Sequence, residues 1–126
     1  MATLTLDKTN FSETVSGGGI VLVDFWASWC GPCRMFGPIF EEVSDRHPGI
    51  VFGKVNTEAE PELAAAFRIT SIPTLMAFRD NVWIFAQPGA LPAAALEELI
   101  GKIEALDMDE VRRVVAAAAA SPADAS

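Results

Sequence analysis

Apolar positions along this chain fall into short blocks of two kinds. Residues 20–26, Ile20-Val21-Leu22-Val23-Asp24-Phe25-Trp26, are apolar on both alternating sets of positions. That is the pattern of a strand covered on both faces. Residues 50–55 repeat it, and the short alternating segment 3–6 suits a sheet edge. Residues 74–78 and 82–86 predict two further strands joined through Arg79-Asp80-Asn81, where Asn81 can take a positive φ.

Between these blocks the apolar spacing changes to three and four. Asn10 and Glu13 have capping-box spacing for a helix to about Val15, ended by Ser16-Gly17-Gly18-Gly19. Met35, Ile39, Phe40 and Val43 predict a long helix to about Arg46, with Pro38 expected to kink it and His47-Pro48-Gly49 to stop it. A shorter helix is expected over residues 59–67, with Pro61 in its first turn. Another begins near Pro92 and carries Leu96, Leu99, Ile100 and Ile103 on one face. Met35, Phe36, Phe40, Phe67 and Phe78 are at core spacing. The order β-α-β-α-β-α-β-β-α predicts an α/β fold, a mixed central β-sheet flanked by helices on both faces.

The C-terminal stretch continues with a new helix. Asp107 and Glu110 again have capping-box spacing, which predicts a helix over about 108–120. Its stripe of Met108, Val111, Val114, Val115, Ala118 and Ala119 needs something to pack on, because an isolated helix of this length is marginal in water. The strand around Trp83 and Phe85, unusually apolar on both faces, is the candidate, in the same chain or in a second copy. Residues 121–126 are expected to be disordered.

Composition narrows the function. A length of 126 residues suits one core, and a 51% hydrophobic content excludes disorder over most of it. The net charge of -8, without a Lys/Arg cluster, argues against nucleic acid or an anionic membrane as partner. No basic n-region and apolar h-region open the chain, and the apolar run 20–23 stops at Asp24, too short to span a bilayer. A cytoplasmic location is the expectation. So is a monomer, with pairing through the C-terminal extension or the last strand as the alternative.

The only two cysteines, Cys30 and Cys33, lie at the start of the long helix. In a reducing compartment a purely structural disulfide is out of place, so the pair points to redox work or metal binding. Zinc and iron–sulfur sites both need more ligands than one further His47 supplies, so no metal is expected. Residues three apart on a helix share a face, roughly 5–6 Å between Cβ atoms, near disulfide geometry. Cys30 sits where unpaired N–H groups and the helix dipole favour a thiolate, and Cys33 one turn further in. A free thiol is only about 3% ionised at pH 7, so this placement makes Cys30 the nucleophile and Cys33 the resolving thiol.

The run Val23-Asp24-Phe25-Trp26-Ala27-Ser28-Trp29-Cys30-Gly31-Pro32-Cys33 closely resembles the active-site signature of the thioredoxin family. The likeness continues through Pro38, Lys54-Val55-Asn56, Ser71-Ile72-Pro73-Thr74 and Gly89-Ala90-Leu91, over about residues 3–106. It implies a thioredoxin-fold domain over residues 1–106, with 107–126 as an extension. It implies a reversible Cys30–Cys33 disulfide, proton transfer by Asp24 through a water, and tuning of that acid by Lys54. On sequence alone, Asp24 also reads as a satisfied core polar group, and Lys54 as a solvated strand-end charge. The resemblance further implies a cis bond before Pro73 and a substrate surface of Trp29, Gly31, Pro32, Ile72, Pro73, Gly89 and Ala90. Sequence alone would favour trans at Pro73.

No bound cofactor is implied. Electrons would come from NADPH through a flavin-dependent thioredoxin reductase, and the other partners would be disulfide-containing proteins. A disulfide oxidase or isomerase of the same fold usually carries His between the cysteines, which Gly31-Pro32 lacks. A thioredoxin-like binding subunit is the third reading, disfavoured by the intact pair.

Overall fold

The computed structural model describes residues 2–120. Five strands, β1 (Thr3–Thr5), β2 (Ile20–Trp26), β3 (Val51–Asn56), β4 (Thr74–Arg79) and β5 (Val82–Pro88), form one sheet in the order β1-β3-β2-β4-β5. Pairs β1–β3 and β2–β3 are parallel, and β2–β4 and β4–β5 antiparallel. The helices are α1 (Phe11–Ser16), α2 (Gly31–Arg46), α3 (Pro61–Ala66), α4 (Ala93–Glu104) and α5 (Met108–Ala120).

The double-sided apolar pattern of β2 has the expected cause, since β2 is central and residues 21–25 are buried. On one face Leu22, Phe52, Leu75 and Ala77 meet Phe36, Phe40 and Val43 of α2 and Leu96, Ile100 and Ile103 of α4. On the other, Val21, Val23, Phe25, Val55, Met76 and Phe78 meet Phe11 and Val15 of α1, with Leu63 of α3 and Phe67 packed beside them. β1 can lie close to β3 because Gly53 has no side chain. A Cβ there would fall 2.3 Å from Cδ1 of the buried Leu6.

Several details differ from the sequence reading, each for a local reason. Asn10 makes no side-chain cap on α1. Its Oδ1 accepts from the Asp7 N–H, and the Asp7 carboxylate accepts from the N–H groups of Thr9 and Asn10, so the turn before the helix is the capped element. The β4–β5 hairpin turns on two residues, Asp80 (φ 52°) and Asn81 (φ 67°), where only Asn81 was expected at positive φ. Two such residues match the right-handed twist of the flanking strands. β5 is over-apolar because it is bulged: Ala77 pairs with Phe85 and Phe78 with Trp83, leaving Ile84 extra, so that Ile84 and Phe85 both pack on the α2/α4 core. Met35 is not a core residue but 70% exposed.

α5 is capped by Asp107, whose carboxylate accepts from the N–H groups of Asp109 and Glu110, while the Glu110 carboxylate accepts from Arg113. Arg79 fixes the approach to it by donating to the carbonyls of Ile103, Glu104 and Leu106. The tail 121–126, expected to be disordered, lies outside the described residues.

Candidate active site

The end of β2 delivers the cysteines. The Trp26 carbonyl accepts from the N–H and the hydroxyl of Thr57, at 2.8 and 3.1 Å, which anchors the strand end to the segment after β3. The chain then turns through buried Ala27 and exposed Ser28 and Trp29 into α2. The Ser28 hydroxyl donates to Glu58, and its carbonyl accepts from Arg34 Nε at 3.2 Å.

Cys30 is the N-cap of α2, and its Sγ accepts from the Cys33 N–H at 3.2 Å. Ser, Thr, Asp and Asn cap helices by the same geometry, so the position suits a sulfur carrying negative charge. Cys30 and Cys33 are joined as a disulfide with Cα atoms 5.2 Å apart, and both are almost covered. Pro32 lies in the first turn of α2, where its missing N–H leaves no helical bond unmade. Pro38 lies inside the helix, which runs as one element to Arg46.

The Ile72–Pro73 bond is cis, and the Ile72 carbonyl oxygen is 3.6 Å from Cys30 Sγ. Gly89, at φ 101°, donates its N–H to the Pro73 carbonyl at 2.8 Å and so ties the end of β5 to the same loop. Trp29, Gly31, Pro32, Gly89 and Ala90 are exposed around the sulfurs, and Ile72 is half-buried. Met35, in the first turns of α2, is exposed rather than part of the core. Helical spacing held the signal: Cys33, Phe36, Phe40 and Val43 make the buried stripe, and Met35 falls off it.

Behind the disulfide, Asp24 interrupts the apolar strand. It is fully covered, and neither carboxyl oxygen meets a hydrogen-bond donor of the described residues. Burial pushes its pKa from 3.8 up to about 7, opposed by the charge of Lys54. Asp24 and Lys54 are register partners on the adjacent parallel strands β2 and β3. Lys54 Nζ lies 5.4 Å from the centre of the Trp26 ring, and a Cβ on buried Gly37 would be 3.7 Å from it. Sequence reasoning missed Gly37, which lines the same space as the lysine, at ordinary contact distance from it. Asp24, Cys33, Gly37, Glu41 and Lys54 line one cavity of about 240 Å³. Such a volume admits water, the carrier a buried acid needs to exchange a proton with a thiol.

Among the described residues no cluster of His, Cys, Asp or Glu could hold a metal ion. No helix of the described residues is long and apolar enough to cross a membrane. His47 lies at the other end of α2, where its Nε2 meets Glu97 of α4.

Known proteins share this arrangement. The family model described as Thioredoxin matches residues 2–102. A Streptomyces coelicolor protein named "Putative thioredoxin 2" is 59% identical over 115 residues, covering 91% of this chain and 86% of the relative. Spanning 115 of 126 residues, that alignment passes the end of the family model and reaches into α5. Thioredoxin of Alicyclobacillus acidocaldarius is 40% identical, covering 81% of this chain and 98% of the relative. The structure of Plasmodium falciparum thioredoxin superposes with a TM-score of 0.74 at 33% identity, over 79% of this chain and 98% of that one. The chain therefore belongs to the thioredoxin family of thiol–disulfide oxidoreductases.

Proposed function

We infer that the protein reduces protein disulfides in general, by a two-step exchange in which each residue of the site has one task. The Cys30 thiolate, held by the Cys33 N–H and the start of α2, attacks one sulfur of a substrate disulfide. A Cys30–substrate disulfide forms, and the other substrate sulfur leaves as a thiolate that takes up a proton. Asp24 then accepts the Cys33 proton through water in the shared cavity. The Cys33 thiolate attacks Cys30 Sγ, closing Cys30–Cys33 and releasing the second substrate sulfur. Two electrons pass from the cysteine pair to the substrate. Lys54 keeps the Asp24 pKa from rising as far as burial alone would push it.

The observation that carries this reading is the division of environments. Both sulfurs are nearly covered, but one caps the start of a helix while the other shares a cavity with a buried acid titrating near 7. The extended substrate chain would pair with the Ile72 backbone beside cis Pro73 and rest on Trp29, Gly31, Pro32, Gly89 and Ala90. Two electrons from NADPH, delivered by a flavin-dependent thioredoxin reductase, would reopen the disulfide, and a reducing cytoplasm is the compartment that suits this cycle. Residues 1–106 would constitute the redox domain and 107–126 an appendage outside the chemistry.

Cys30→Ser is expected to abolish insulin reduction with dithiothreitol, whereas Cys33→Ser should accumulate mixed disulfides visible on non-reducing gels. Trapping by Cys30→Ser with an inert Cys33→Ser would reverse the two roles. Failure of the wild type to reduce insulin, with a strongly oxidising titration of the pair, would favour the oxidase reading.

A further inference from the structure

We propose that the face made by α5 and the start of β5 is the interface of a two-fold dimer of this chain. The redox reaction described above does not use this face. Of the seven large apolar side chains that the described residues expose, four gather here: Trp83, Leu106, Val114 and Val115. The other three are dispersed along the chain: Leu4 in β1, Trp29 just before the cysteines and Met35 in α2. A soluble protein rarely leaves such a cluster bare without a partner for it.

The shape is self-complementary. Trp83, Ile84 and Leu106 form the floor of an open groove of about 290 Å³, walled by Glu110, Val111, Val114 and Val115 of α5. Beyond it α5 is a ridge, with Val114 and Val115 exposed by 59% and 48% and Ala116 to Ala119 also exposed. A groove beside a ridge on one surface is what an isologous contact requires, each copy laying its ridge in the groove of the other. A second groove, along Ile84, Phe85 and Leu99, continues the apolar floor from Leu106 toward α4.

Charge and size favour the same occupant. The chain carries -8, so most of its surface repels a second copy. Residues 108–120 are neutral, two acids against two arginines, and Arg112 pairs with Asp109 and Asp80 while Arg113 pairs with Glu110. α5 has 13 residues and is about 20 Å long, so one side offers roughly 400 Å². With the groove floor the patch approaches the roughly 600 Å² per partner at which specific association begins. The bulge in β5 twists its free edge and disfavours strand-to-strand pairing, leaving helix-in-groove docking as the contact.

The patch lies beside the Asp80-Asn81 turn, at the opposite end of β5 from Gly89, so pairing leaves the cysteines open. Sedimentation velocity of the oxidised full chain, from about 5 µM to about 1 mM, should show a reversible monomer–dimer equilibrium. The double variant Val114→Glu, Val115→Glu should raise the dimer Kd about 100-fold, with unchanged circular dichroism and insulin reduction. Both positions are exposed, so the monomer fold tolerates them. Val115→p-benzoylphenylalanine should photocross-link two copies through a peptide containing Trp83. A chain that stays monomeric at about 1 mM, a dimer that survives the double variant, or a cross-link mapping to the Trp29 end would each overturn the proposal.

Discussion

Two carboxyl groups near opposite ends of α2 meet opposite fates. Asp24, behind Cys33, is fully covered, receives no donor from the described residues, and titrates near 7. Glu97 of α4, beside the last turn of α2, accepts from His47 Nε2 and from Arg46 at 3.0 Å; those hydrogen bonds, His47 first, hold its pKa below the usual carboxylate range. Arg46 is shared further with Glu42 on its own helix. One end of the sheet satisfies its polar groups and gains structure. The other withholds a partner and gains a group able to change its charge near neutrality.

The largest expected effect breaks the contrast at Asp24. A carboxyl whose folded pKa is raised binds its proton more tightly in the folded state, so stability falls as pH climbs from about 4 to 7 and stays reduced above. A rise from 3.8 to about 7 corresponds to roughly 4 kcal/mol at pH 8 as an upper limit. Asp24→Asn should therefore be a few kcal/mol more stable than wild type in urea at pH 8 and nearly equal to it at pH 4. The same variant should resolve mixed disulfides roughly 10–100-fold more slowly near pH 7. An unchanged single-turnover rate between pH 6 and 8 would leave Asp24 a purely structural group.

A smaller effect sharpens the contrast at Lys54. Lys54→Met removes the charge that opposes desolvation of Asp24, so the carboxyl should titrate above 7. Carbon-13 NMR of the Asp24 carboxyl would record the rise, and the pH profile of resolution should move up with it. A downward or absent displacement would show that the lysine acts elsewhere.

The smallest effect belongs to the satisfied end. Glu97→Gln should lower Tm slightly at pH 7, because a carboxylate with a depressed pKa stabilises above its unfolded value. The difference should fade as pH falls through the folded pKa, since the contribution is then lost in the wild type too. Its partners are partly exposed, and solvent screens such pairs. Redox turnover should not change.

These two carboxyls also mark what could be read without coordinates. Asp24 announces itself as the one charge in a doubly apolar strand, and the cysteine pair as the only thiols, so their chemistry was legible locally. The His47–Glu97 contact joins residues 50 apart, and no periodicity encodes it. The strands and long helices were legible because burial imposes periods of 2 and 3.6 on them. The β5 bulge was not, since one extra residue looks like a strand that is apolar throughout. Met35 was misread by counting apolar residues rather than angles, and Asp7 was overlooked because its capped turn precedes the helix it introduces.

The cysteines of the disulfide are three positions apart, and that spacing has a thermodynamic consequence. A cross-link stabilises chiefly by denying conformations to the unfolded chain, and the denial grows with the logarithm of the loop it closes. For a loop this short the formula gives about 2 kcal/mol, against about 4.7 for one of a hundred residues. The bond is therefore a weak brace. The apolar layers on the two faces of the sheet hold the molecule together in either oxidation state, and opening the bond need not loosen the framework that keeps Cys30 on its helix.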